Sequence, residues 1–188
     1  MKKKSLALVL ALAMIVVCVV GGTLAWLTDK TPDVKNTFTT SDVNITLTES
    51  TTNYQMIPGY TIAKDPKVTV LAGSEKCYLF VKVAESDNFD SFMTYDMATG
   101  WTQGDGTDIP SNVYYREVET STADQEFAVL KDNQVTVSGD VTKTMLNALN
   151  VEGATQPTLT FTAYACQYNN SNGTSFTAAE AWANVPKA

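Results

Sequence analysis

Leu159-Thr160-Phe161-Thr162-Ala163-Tyr164-Ala165-Cys166-Gln167-Tyr168 is the stretch on which the fold turns. Leu159, Phe161, Ala163 and Ala165 recur every second residue, the spacing of a β-strand that lays one face on a core. Shorter strand-like runs lie upstream. Val43, Ile45 and Leu47 alternate with Asn44, Thr46 and Thr48, and Val68–Val70, Tyr78–Val83, Val113–Val118, Phe127–Leu130 and Val135–Val137 follow. Turn signals separate them, among them Ile57-Pro58-Gly59 and Ala72-Gly73-Ser74. Many short strands between Gly-, Asn- and Asp-bearing turns predict an all-β sandwich or barrel.

Helix signals are few. Val141–Leu149 gathers Val141, Met145, Leu146 and Leu149 on one face behind Asp140 as a candidate N-cap. Thr177-Ala178-Ala179-Glu180 reads as a capping box opening a short helix that carries Trp182. Both are peripheral. Ser86–Asp90 and Thr99–Asn112 read as loops. No repeat and no second domain boundary is visible.

The N-terminus carries a different message. Lys2, Lys3 and Lys4 precede an apolar run from Leu6 to Val20, then Gly21-Gly22-Thr23-Leu24-Ala25-Trp26. A basic start and apolar middle form an export signal, and the small Ala25 suits cleavage before Trp26. The competing reading is an uncleaved anchor, since Leu6–Leu27 is long enough to span a bilayer. A membrane contact is thus expected only through the uncleaved signal. The expected division is a signal peptide over 1–25 and a single domain over 26–188, with 26–40 as a separate N-terminal segment.

Composition narrows the function. Of 13 basic residues three fall in the signal, so the chain from Trp26 onward holds ten against 20 acidic ones, a net charge of −10. Such a surface excludes nonspecific binding of a nucleic acid backbone, which needs clustered Lys and Arg. Histidine is absent, which removes His-ligated zinc, Ser-His-Asp and Cys-His chemistry. No residue set stands out for catalysis, and neither an enzyme nor a cofactor is expected. Calcium is the more reasonable ion, with Asp87 and Asp90 in one loop and Asp105 and Asp108 in another; solvated turn residues are the alternative. Cys77 and Cys166 remain after cleavage, either as a disulfide in an oxidising compartment or as two buried thiols. Trp101, Tyr114 and Tyr115 form a candidate stacking platform for a glycan.

Gly21–Asp29, Asn36-Thr37-Phe38 and Val43-Asn44-Ile45-Thr46-Leu47-Thr48-Glu49 together resemble exported Gram-positive proteins cut by a dedicated ER-type signal peptidase, the TasA/camelysin family. Pro58-Gly59, Lys64-Asp65-Pro66, Ala72-Gly73-Ser74-Glu75 and Tyr164-Ala165-Cys166-Gln167 extend the likeness along most of the chain. The resemblance implies a jelly-roll-like β-sandwich and a secreted protein of the biofilm matrix or cell surface. Its partners would be further copies or related matrix proteins, joined by donor-strand exchange. The long insertions and charged tail of the fibre-forming members are missing, which leaves an accessory role open. A camelysin-like peptidase is the least favoured reading, for want of the usual ligands. A monomeric cell-surface binding module is the main alternative.

Physics offers its own argument for assembly. Cleavage would leave Trp26 and Leu27 on a free end, and burying each is worth about 1.5–3 kcal/mol. With Val34 and Phe38 they make 26–40 a candidate assembly strand, able either to reach a neighbouring subunit or to fold back on its own sandwich.

Overall fold

The computed structural model describes residues 42–51 and 54–186, which belong to a unit spanning Thr40–Ala188. The expected signal peptide and the assembly segment lie outside the described residues.

The architecture is all-β, with antiparallel sheets and two short helices. Its centre is β4 (Cys77–Glu85), flanked by β10 (Leu159–Gln167) and β7 (Val113–Val118), with β6 (Thr102–Gln103) outermost. A second sheet runs β1 (Ile45–Thr48), β3 (Lys67–Val70), β8 (Gln125–Ala128). A third runs β2 (Thr61–Ala63), β9 (Gln134–Val137), β5 (Met93–Thr94). Most neighbours in the sheets are distant in sequence, so the connections cross between layers rather than forming hairpins.

β4 explains the layering. Residues Cys77 to Val81 are all buried, although a strand with one wet face would alternate. Cys77, Leu79, Val81 and Val83 join Val68 and Val70 of β3 in the main core. Tyr78 and Phe80 point the other way, into a second cluster with Trp182 and Val185. That cluster exists because α2 (Ala178–Asn184) lies over the back of the sheet. The Phe80 and Trp182 rings sit 5.3 Å apart, and Trp182 meets Tyr164 edge-on at 5.5 Å. β10 divides as expected: Leu159, Phe161, Ala163 and Ala165 pack on the main core, while Tyr164 and Cys166 join the aromatic side.

Local details correct several expectations. α1 (Lys143–Leu149) is capped by Thr142, whose hydroxyl accepts from the Met145 N–H at 3.2 Å, and not by Asp140. Asp140 is held in the preceding turn, its N–H donated to Ser138 Oγ. The Thr177–Glu180 capping box forms in both directions. The Ser86–Asp90 loop runs into a 3₁₀ turn, Phe89–Ser91, which buries Phe89. The Thr99–Asn112 loop contains β6, and its return is tight enough to require glycine. A Cβ on Gly104 would stand 2.3 Å from the Pro110 carbonyl oxygen.

Candidate functional site

β1 and β10 are both edge strands among the described residues: β1 pairs only with β3, and β10 only with β4. They flank a cleft of about 680 Å³. The apolar period along β1 explains how it opens. Val43 and Ile45 pack on the main core, but Leu47, the next in the series, is 36% exposed and lines the cleft instead. Leu159 and Phe161 of β10 form the facing wall, with Ile62, Phe89 and Val135 beneath.

A polar cluster sits in this apolar setting. Lys64 Nζ donates to Glu49 Oε1 at 2.6 Å, and the two side chains are only 11% and 17% exposed. The Tyr54 hydroxyl donates to the same oxygen at 2.6 Å and reaches the Thr51 carbonyl. Burial, reinforced by the Glu49 carboxylate, pushes the Tyr54 hydroxyl well above the ordinary tyrosine range. Lys64 Nζ also lies 5.1 Å from the Tyr54 ring centroid and 5.6 Å from that of Phe161. The Lys64 backbone N–H is anchored on the Asn133 carbonyl at 2.8 Å. Ser50 donates from both its N–H and its hydroxyl to Asp65 Oδ1, and these bonds hold the Asp65 carboxyl below its usual range.

The stretches that carried the family resemblance therefore meet around β1. Glu49 pairs with Lys64, Ser50 with Asp65, and the Asn44 N–H donates to Ser74 Oγ at 3.2 Å. Sequence reasoning missed the Lys64–Glu49–Tyr54 cluster. Fifteen residues separate Lys64 from Glu49, and no spacing rule links the end of one strand to the loop before another.

The other candidates fare differently. Ala25, Trp26, Leu27, Val34 and Phe38 lie outside the described residues. The disulfide is not made: Cys77 and Cys166 are free. Cys166 pairs in register with Tyr78, and Cys77 with Gln167, so the cysteines are one position out of step. On a pleated sheet that offset sends their side chains to opposite faces. The four calcium candidates, Asp87, Asp90, Asp105 and Asp108, are all exposed, and among the described residues no three His, Cys, Asp or Glu side chains gather. Asp105 Oδ1 instead accepts N–H bonds from Thr107, Asp108 and Ile109, of which the Thr107 bond does most to lower its pKa.

The stacking platform does not form either. Tyr114 faces the main core and Tyr115 the aromatic cluster, as neighbours on one strand must. Trp101 packs on the main core and donates its indole N–H to the Ala128 carbonyl at 2.9 Å. Among the described residues no helix is long and apolar enough to cross a membrane. No protein-family model, no curated protein and no solved structure matches this chain.

Proposed function

We propose that this chain is a secreted structural protein of a bacterial cell surface or extracellular matrix, in which copies join by donating the 26–40 strand. In this reading residues 1–25 direct export and are removed at the Ala25–Trp26 bond by an ER-type signal peptidase. The two principal sheets then make a jelly-roll-like sandwich that is open along one side. The observation that carries the reading is the cleft between β1 and β10, where two strand edges that are unpaired among the described residues border a trough lined by Leu47, Ile62, Leu159 and Phe161 together with the Lys64–Glu49–Tyr54 cluster. An unpaired edge is a template for another strand, and side-chain pockets beside it give the added strand its register.

The donor fits this description by its sequence. Val34 and Phe38 are four residues apart, so an extended chain presents both on one face, with Trp26 an even number of positions before them. At about 3.3 Å per residue, 26–38 spans roughly 40 Å, which is enough to leave one subunit and cross the next. Such a strand would cover Leu47 and Leu159 and close the Lys64–Glu49 pair off from water.

The test uses protein whose export signal is followed directly by residue 41. This truncated form should stay monomeric by light scattering and give no fibres in electron micrographs, while the complete chain forms them. A synthetic peptide of residues 26–40 should bind the truncated form. Fibres formed without 26–40, or no binding of the peptide, would reject strand donation.

A further inference from the structure

Arg116 is the one arginine of the chain, and it occupies a position where the fold calls for an apolar residue. It pairs in register with Leu79, and its neighbours two positions away, Tyr114 and Val118, pack into the main core. Alternation along β7 turns Arg116 toward the same side. The guanidinium lies over two rings: its central carbon is 4.1 Å from the Phe127 centroid and 5.5 Å from that of Trp101. Trp101 is itself fixed by its bond to Ala128. Gly100, at φ +89°, leaves the space the group fills, since a Cβ there would come within 3.2 Å of Nη2.

Among the described residues the group has no anion: all five ion pairs use lysine, and none of the described carboxylates pairs with Arg116 within 4 Å. Its Nε is buried without a hydrogen-bond partner. In a chain with twenty acidic residues this is unusual chemistry. Burying a charged donor without an acceptor is costly, and cation–π contact with two rings offsets only part of that. A planar, half-buried fork packed between two rings is suited to one ligand above others. Carboxylates match its geometry with two parallel N–H···O bonds.

We propose that Arg116, clamped by Trp101 and Phe127, is a receptor for a carboxylate. The carboxylate comes either from a free organic acid or from an acidic side chain of a second copy of this chain. The site lies on β7 and does not depend on the cleft or on strand donation.

A single arginine makes the test direct. The ¹⁵N-labelled full chain has one arginine Nε–H resonance, and Trp101 supplies a second reporter in its indole N–H. Sodium acetate is titrated against sodium chloride at matched ionic strength, each at low and at high protein concentration. A saturable shift of the Nε–H signal with acetate and none with chloride is the expected result. Arg116→Lys, read on the Trp101 indole, should weaken that response by about tenfold or more, because an ammonium offers no parallel pair of donors. A shift that develops on raising protein concentration alone, and that acetate reverses, would assign the carboxylate to a second copy. The same response to acetate and chloride at every protein concentration would overturn the proposal. Should Arg116→Lys fail to fold, the wild-type Nε–H titration decides by itself.

Discussion

Cys77 is wholly buried in the main core, while Cys166 is half-buried on the aromatic side of the same sheet. Burial pushes the Cys77 thiol up to about 11, with the neighbouring Cys166 thiol adding a smaller push, and burial alone raises Cys166. The thiolate is the reactive form, so neither group should behave as a surface cysteine. Folded protein at pH 8 should take up thiol reagent slowly at Cys166 and almost not at all at Cys77, and both should react at once in denaturant. Exposure to a disulfide-forming oxidant should leave the mass unchanged; loss of two hydrogens in the folded protein would show that the strands can slip by one residue. Lys64 invites a second experiment at this scale. Lys64→Met leaves the Glu49 carboxylate in its near-dry position without a cation, a change worth about 1–3 kcal/mol for a pair that retains some contact with water. Denaturant unfolding would measure it, and a variant as stable as the parent would show that Glu49 escapes to solvent.

Among the elements, those written by local chemistry were legible and those written by their partners were not. Thr177 and Glu180 announce α2 because both halves of the capping box lie within one turn. β10 was readable because its alternation is long enough to outvote local preference, and β7 because its Val and Tyr residues favour a strand although Arg116 breaks the period. The start of α1 was misplaced because Asp140 and Thr142 are both good caps, and the Ser138 turn claims the first. β2, β5 and β6 have only two or three residues each, and ladders to distant strands define them. The cleft was invisible for a similar reason. Leu47 continues the apolar period of β1, and only the position of β10 decides that it borders a trough rather than the core. The role of α2 can be separated into its cap and its anchor. Thr177→Ala should cost about 1 kcal/mol through the lost cap. Trp182→Ala should cost about 3–5 kcal/mol through the cavity left against Phe80 and Tyr164. Equal losses from the two, compared by urea midpoints, would mean that α2 holds the sheet by its backbone rather than by its indole.

For the molecule as a whole, the two-sided burial of β4 sets how stability responds to pH. Cys77 and Tyr78 are adjacent on that strand, one in each core cluster, and desolvation by burial is the leading cause of a raised pKa at both. Tyr78 rises to about 12 from an unfolded value of 10.0, and Cys77 to about 11 from 9.0. Between those values the folded chain keeps protons that the unfolded chain has lost. Their contribution is therefore complete below pH 9 and disappears as pH climbs through the folded values. For Cys77, which has no exposed surface, a two-unit displacement amounts to about 2–3 kcal/mol by pH 11. With histidine absent, nothing of that residue type titrates near neutrality. The urea midpoint should stay level from pH 7 to pH 9 and then fall steeply. In Cys77→Ala the overall midpoint is lower, because a buried sulfur is lost, and the fall between pH 9 and pH 10 should be shallower, since only Cys166 contributes there before the tyrosines do. A wild-type midpoint that holds steady to pH 11 would mean that both faces of β4 are wetter than their packing implies, and the same slope between pH 9 and pH 10 in both proteins would mean that the main core around Cys77 is.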